Sequence, residues 1–410
     1  MTVPLTDVKK ATAGLTGRTG QTPRRLRLWQ LAVAAMALLL GGVAAITMAT
    51  LSNQLEQASA HAYQYVRAGD IQRQLLEAHA ASARAFLARS DAEARSINQE
   101  AVESRETAAT RIVEMAAHRT DLDGSLESLT HDVLRYTGLV DAAQQHRGED
   151  TGRASLSAAN KVLESALLPA TEALQSAHLS AAQPAASWVW VLPVLAWLTV
   201  IGLVWISVLV AMASHRVFNI GLVLAAVITV LIAFGSMSMA SGQASPNATT
   251  DGLSRVSALA TAQRSGAQAY ALAANSAATR AWTGDPAVAL RDLISKGTQA
   301  LDPSLDETLI GHLKELQTAG TTAIGHAKAH SWAAAEAAVL SVQPDAVGPA
   351  STRVQTQADA DLTTALENLR TAASGQASVT VSLGVLSVIG AIGIAIAGIR
   401  GLNQRLKEYR

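Results

Sequence analysis

The chain has 410 residues, 32 basic and 32 acidic side chains, no cysteine, 49% hydrophobic residues and only 4% aromatic ones. Without cysteine there are no disulfides, thiolate metal sites or thiol nucleophiles. An apolar fraction made largely of Ala, Leu and Val points to helices, not to a soluble core packed on Phe and Tyr.

Residues 1–28 form a basic tail, with Lys9, Lys10, Arg18, Arg24, Arg25 and Arg27 against Asp7 alone. The tail has no apolar periodicity and is predicted to be disordered. Thr16, Thr19 and Thr22 lie beside basic residues and are candidate phosphorylation sites. A solvated basic tail lying on a membrane surface accounts for the same pattern. Residues 29–51 then carry "LAVAAMALLLGGVAAITMATL", about 20 apolar residues and enough to cross a bilayer. The run is long and lacks a small-x-small cleavage site at its end, which argues against a signal peptide.

Residues 52–186 are predicted to form an extracytoplasmic bundle of four antiparallel helices. Leu55, Ala58, Ala62, Tyr65, Gly69, Gln72, Leu76, His79, Ala83 and Phe86 follow a four-three spacing, continuing the first span outward. Ser90 and Glu93 have the spacing of a capping box and start a second helix. Leu122, Leu126, Leu129, Val133, Tyr136 and Val140 mark a third, and Leu156, Ala159, Leu163, Ala166, Ala170, Leu174 and Ala177 a fourth.

A second span covers 187–213 and a third 220–240, separated by a turn at 214–219. His215 and Arg216 are the only ionisable side chains between 187 and 240. Residues 241–376 are read as a second extracytoplasmic helical bundle. Its first helix is predicted over 251–283, and restarts are expected at Asp285–Pro286 and Asp302–Pro303. The helix with Leu309, Leu313, Leu316, Gly320, Ala323 and Ala327 follows, and Pro344 and Pro349 are expected to break the last one. A fourth span at 377–399 leads into a basic tail at 400–410. "HAASARAFL" resembles "NSAATRAWT", pairing Arg84 with Arg280 and Phe86 with Trp282. The span–bundle–span order itself argues for a duplication.

The predicted fold is thus an all-α membrane protein, with four transmembrane helices and two extracytoplasmic antiparallel helical bundles. Lys and Arg beside the spans orient it. Arg24, Arg25, Arg27, Arg216, Arg400 and Arg405 anchor the tails and the short turn in the cytoplasm. Residues 52–186 carry 12 basic and 18 acidic side chains, and 241–376 carry 9 and 12, so both large segments lie outside.

No phosphate loop, nucleophile elbow or kinase set is present, and the spans hold no buried carboxylate. The sequence therefore predicts no enzyme, no cofactor, no ion pathway and no nucleic-acid partner. His326 and His330, with His312 upstream, have zinc-compatible spacing, but no carboxylate or thiol supports them. "NAT" at 247–249 matters as a glycosylation acceptor only in a eukaryotic secretory setting. Arg84 and Arg280, each two residues before an aromatic (Phe86, Trp282), are candidates for gripping a carboxylate; a surface Arg lying over a ring has the same signature. Gly390, Gly393, Ala397 and Gly401 permit close helix approach, within the chain or across a homodimer.

The cytoplasmic parts are too short to fold as an output domain. Paired exported bundles, four spans and minimal cytoplasm resemble the GlnX-type membrane proteins of actinobacteria. That resemblance covers about residues 25–410 and rests on architecture and composition. It implies an amino-acid-binding lipoprotein outside and a soluble Ser/Thr kinase, protein kinase G, inside. The function expected on this basis is a non-enzymatic signal transducer in the cytoplasmic membrane. It would contact the lipoprotein through the bundle tips at 86–93, 146–153 and 282–287. The alternatives are a direct small-ligand sensor of chemoreceptor-like bundle type and a structural envelope protein.

Overall fold

The computed structural model describes residues 22–116, 123–183, 191–214, 220–240, 246–280 and 284–408, and every regular element among them is helical. The helices are α1 (Thr22–Leu87), α2 (Asp91–Ala116), α3 (Asp123–Gln145), α4 (Asp150–Val162) and α5 (Leu168–Ala182), the last two joined by a π turn at Leu163–Leu167. There follow α6 (Val191–Ser214), α7 (Ile220–Ala240), α8 (Pro246–Thr279), α9 (Pro286–Ala300), α10 (Glu307–Lys328), α11 (Trp332–Leu340) and α12 (Val347–Glu408). Two of them, α1 with 66 residues and α12 with 62, contain stretches long and apolar enough to cross a membrane.

Local chemistry sets the boundaries. The Ser90 hydroxyl accepts the Glu93 N–H at 3.2 Å, and the Glu93 carboxylate accepts the Arg89 N–H at 2.9 Å, so a capping box opens α2. Asp285 accepts the Ala287 N–H at 2.9 Å ahead of Pro286, which starts α9. Three expected boundaries move. Asp302 folds a turn, taking the Ser304 N–H at 2.8 Å, and α10 starts only after Asp306. The expected break is present at 341–346 around Pro344, but Pro349 lies past it, in the first turn of α12, where its missing N–H costs nothing. The first helix of the second segment stops at Thr279 and not at 283.

The π turn has a chemical cause in Pro169. That residue cannot donate to the carbonyl four residues back, and its ring crowds that carbonyl, so the ladder widens just before it. The buried Thr171 hydroxyl donates back to the Leu167 and Leu168 carbonyls at 3.0 and 2.9 Å.

The chain divides into two compact units. One holds residues 1–57, 184–249 and 372–410. Val33, Leu40, Leu203, Leu222, Ala225 and Ile394, from α1, α6, α7 and α12, form its buried cluster. Small residues line the helix contacts. A Cβ on Gly41 would come within 2.7 Å of Ala391 Cβ, and one on Gly390 within 2.9 Å of Ile232. Gly221 lies against the Ala397 carbonyl and Gly401. The Gly390–Gly401 stripe thus packs inside the chain. Large apolar side chains point outward instead: Leu38, Trp205 and Leu231 are 74%, 67% and 67% exposed. The buried Thr199, Thr229 and Thr380 hydroxyls turn back to carbonyls of their own helices. Big residues out, small residues in and hydroxyls satisfied locally are what a lipid environment selects.

The other unit holds residues 58–183 and 250–371. Cross-contacts fix its helix directions. Arg84–Glu100 and Asp70–Arg111 set α1 and α2 antiparallel, and His61–His178 with Gly69–Gln175 does so for α1 and α5. Gly252–Leu369 and Gly266–Val354 set α8 antiparallel to α12. The sequence treats the two outer segments as separate bundles, whereas here their apolar faces close on one cluster. Leu75, Leu129, Tyr136 and Leu156 share it with Leu259, Leu290, Leu313 and Val354. Each fully buried Leu contributes about 1.5–3 kcal/mol, so neither segment would gain by exposing this face.

Candidate functional site

Among the residues singled out by sequence, Arg84 lies one turn before the end of α1, with its side chain 18% exposed. Its Nη1 donates to Glu100 Oε2 at 3.0 Å and to the Tyr270 hydroxyl at 3.3 Å. Phe86 is buried in the core beside Gly152, which has no room for a Cβ. Arg280 follows the end of α8 with φ +55°, a left-handed conformation that costs a non-glycine residue about 1 kcal/mol. Its Nη2 is 3.3 Å from Glu336, and its guanidinium lies 4.9 Å from the Trp332 ring centroid. Both arginines therefore already hold a carboxylate and an aromatic of this chain. Trp282 lies outside the described residues, as does Arg216. Arg27 and Arg400 are exposed on α1 and α12. Arg24, Arg25 and Arg405 lie on those same helices, and their side chains are outside the description.

The tip segments 86–93 and 146–153 are tied together. Arg147 donates to the Ala88 carbonyl at 2.7 Å and pairs with Asp91. In the third tip segment, Lys328 holds Asp285 at 2.8 Å. His326 is on α10, but His330 lies beyond the helix end with φ +57°, so the two do not share a helical face. Among the described residues no three metal-binding side chains come together.

Polar groups that the apolar periodicity does not single out lie inside the packed unit. His79 and Tyr136 are fully buried, with His79 Nδ1 3.3 Å from the Tyr136 hydroxyl. Burial pushes the His79 imidazole down to about 4 and the Tyr136 phenol upward, so both are neutral near pH 7. Asn275 and Asn160 stand beside His79 and partly offset that shift. Gln72 and Gln175 are buried, and their amide atoms have no hydrogen-bond partner among the described residues. An unmet buried polar group costs about 1–3 kcal/mol, which makes these positions expensive as mere packing. The seam positions of Gln72 and His79 were visible in the sequence, but their polarity was absorbed into an otherwise apolar pattern.

Two cavities flank this core. One of about 810 Å³ lies between α10, α11 and the start of α12. Its Arg353 is engaged by Glu315 and by the Pro344 carbonyl, each at 2.8 Å. The other, of about 490 Å³, opens where the π turn faces α8 and α9. Leu76, Leu163 and Leu272 line its apolar part, and Asn160, Glu164, Asn275, Asp292 and Lys296 its polar part. Asn275 is 8% exposed, and its Oδ1 accepts no hydrogen bond.

Residues 47–186 match the family model described as an actinobacterial sensor domain. The match contains the lower part of α1, all of α2–α5, the His79–Tyr136 pair and the π turn. No match is found among curated proteins or among solved structures.

Proposed function

We propose that the chain is a non-enzymatic transmembrane signal transducer with four membrane spans, both termini in the cytoplasm and residues 52–186 and 241–376 outside. One observation carries this reading. The sensor-like segment 47–186 begins on α1, a 66-residue helix that also contains the first apolar run, so no loop separates the sensing core from the membrane segment. The 62-residue α12 repeats the arrangement at the other end of the chain. A helix is stiff along its axis, so a change in packing around His79 or Leu76 passes along α1 as a shift, tilt or rotation.

The shift is passed, in this reading, to a separate cytoplasmic protein that reads it. In this reading the extracytoplasmic input is a solute-binding lipoprotein docking on the tip segments and reporting amino-acid availability. The output is a cytoplasmic Ser/Thr kinase recruited to the basic tails, which also lie against anionic lipid. The test is in-cell crosslinking followed by affinity purification of the tagged full chain and mass spectrometry. Recovery of a solute-binding lipoprotein together with a kinase is expected. Recovery of neither, with a membrane-protein control well captured, would overturn the relay. The 490 Å³ cavity favours a second reading, direct sensing of a small ligand by the same helices.

A further inference from the structure

We propose that the cavity between the π turn and α8–α9 is a binding site for small aliphatic compounds bearing a primary ammonium group. The proposal deepens the sensing reading, and rests on it in taking these segments as exposed to solutes. Its size, about 490 Å³, falls in the range of ligand pockets. Its composition is that of such a pocket too, an apolar floor with a few converging polar groups.

The chemistry follows from what the lining lacks. The buried Asn275 Oδ1 is an acceptor that no donor among the described residues reaches at 3.5 Å or less, although the amide stands beside His79. Glu164 and Asp292 are carboxylates at the rim, and Glu164 takes one hydrogen bond from Asn160 at 3.0 Å, which leaves acceptor capacity on both its oxygens. Asp292 makes no ion pair among the described residues, and neither does Lys296 one turn on. The unmet groups are thus mainly acceptors, and the carboxylates outnumber the ammonium two to one. A ligand that satisfies them brings N–H donors and positive charge at one end and methylenes for Leu76, Leu163 and Leu272 at the other. A primary alkylammonium does this alone. In an amino acid the same ammonium is accompanied by a carboxylate, for which Lys296 is the partner.

The position also suits a sensor. Leu163 and Glu164 belong to the π turn, a helix irregularity that recurs at functional sites, and Leu76 belongs to α1. Asn275 stands beside both the cavity and His79. A ligand seated here touches both the π turn and α1.

The experiment is thermal unfolding of the purified full chain in detergent, titrated separately with isopentylamine, L-leucine and 4-methylpentanoate. These share one branched aliphatic chain and carry the ammonium, both charged groups and the carboxylate, respectively. A concentration-dependent rise in melting temperature is expected with isopentylamine, L-leucine or both, and none with 4-methylpentanoate. A response to L-leucine alone identifies the zwitterion, and Lys296→Met then removes it. Asn275→Leu is expected to abolish the rise, measured against that variant's own unliganded melting temperature because the amide also stands beside His79. Asp292→Asn is expected to weaken the apparent affinity at least tenfold. No rise with either amine, an equal rise with 4-methylpentanoate, or full retention in Asn275→Leu would each overturn the site. No relay partner takes part in this measurement, so its failure and that of the crosslinking experiment are separate results.

Discussion

At the scale of single residues, His79 makes the packed unit sensitive to acid. Its imidazole titrates at about 4 in the folded chain against 6.5 when free, because burial disfavours the charged ring. Between those values the unfolded chain binds more protons than the folded one. Stability is therefore whole above pH 6.5 and is lost as the pH falls toward 4, on the order of 3 kcal/mol in all. The groups packed against the ring, Tyr136, Asn160 and Asn275, are neutral in that interval. The expected result is a melting temperature that falls between pH 7 and pH 5 more steeply in the native chain than in His79→Gln. Equal slopes would mean that another group carries the effect. Asp306 poses the opposite problem, since it is buried as an acid. Both its oxygens are held by Arg255, and one also accepts the Asp302 N–H at 3.0 Å. Arg255→Met strands that carboxylate and is expected to destabilise by about 3 kcal/mol in denaturant titration. Arg353→Met, which frees the exposed Glu315, is expected to cost under about 1 kcal/mol. Sequence could not rank these arginines, because the burial of the acid partner decides the cost. For the same reason Arg84 and Phe86 look like a ligand motif on paper, while in the fold one is held by Glu100 and Tyr270 and the other is core.

At the scale of elements, what was legible was what is local. The Ser90–Glu93 box and the Asp285–Pro286 start depend on four consecutive residues, and both close as their chemistry requires. The Asp302 start failed because its carboxylate is taken up by a local turn with Ser304, and the helix begins only after Asp306. The π turn was invisible for a similar reason: Pro169 reads equally well as a helix start, and only the continuous helix on its N-terminal side turns it into an irregularity. Glycines on α1 show how far a sequence argument carries. Gly41 and Gly42 are adjacent and look interchangeable, yet a Cβ on Gly41 would meet Ala391 Cβ at 2.7 Å and one on Gly42 meets nothing within 4 Å. Gly41→Val is therefore expected to loosen α1 from α12 and lower the melting temperature in detergent by several degrees, with Gly42→Val close to neutral. Equal losses would show that the small-residue face of α1 is turned elsewhere, toward lipid or a second copy.

At the scale of the whole molecule, periodicity found apolar faces but could not say which faces meet. The two outer segments each look self-sufficient in sequence, and only long-range pairing joins Leu75 and Leu156 to Leu259 and Val354 in one core. The cavity shares that origin, because Glu164 and Asn275 come from different segments. The membrane reading rests instead on features sequence displays well: uncharged apolar runs and the placement of Lys and Arg. If the two outer segments fold on one core, both must reach the same side of the membrane, which requires an even number of crossings between them; in the proposed topology these are α6 and α7. The native absence of cysteine makes this directly testable with single-cysteine variants. Thr110→Cys and Thr318→Cys, both at exposed positions, are expected to react with a membrane-impermeant maleimide in intact cells. Thr16→Cys and Lys407→Cys are expected to react only after permeabilisation. Labelling of Thr110→Cys without Thr318→Cys would leave a single crossing between the segments and rule out their common core. Labelling of all four in intact cells would place the basic tails outside, where no cytoplasmic kinase could read them.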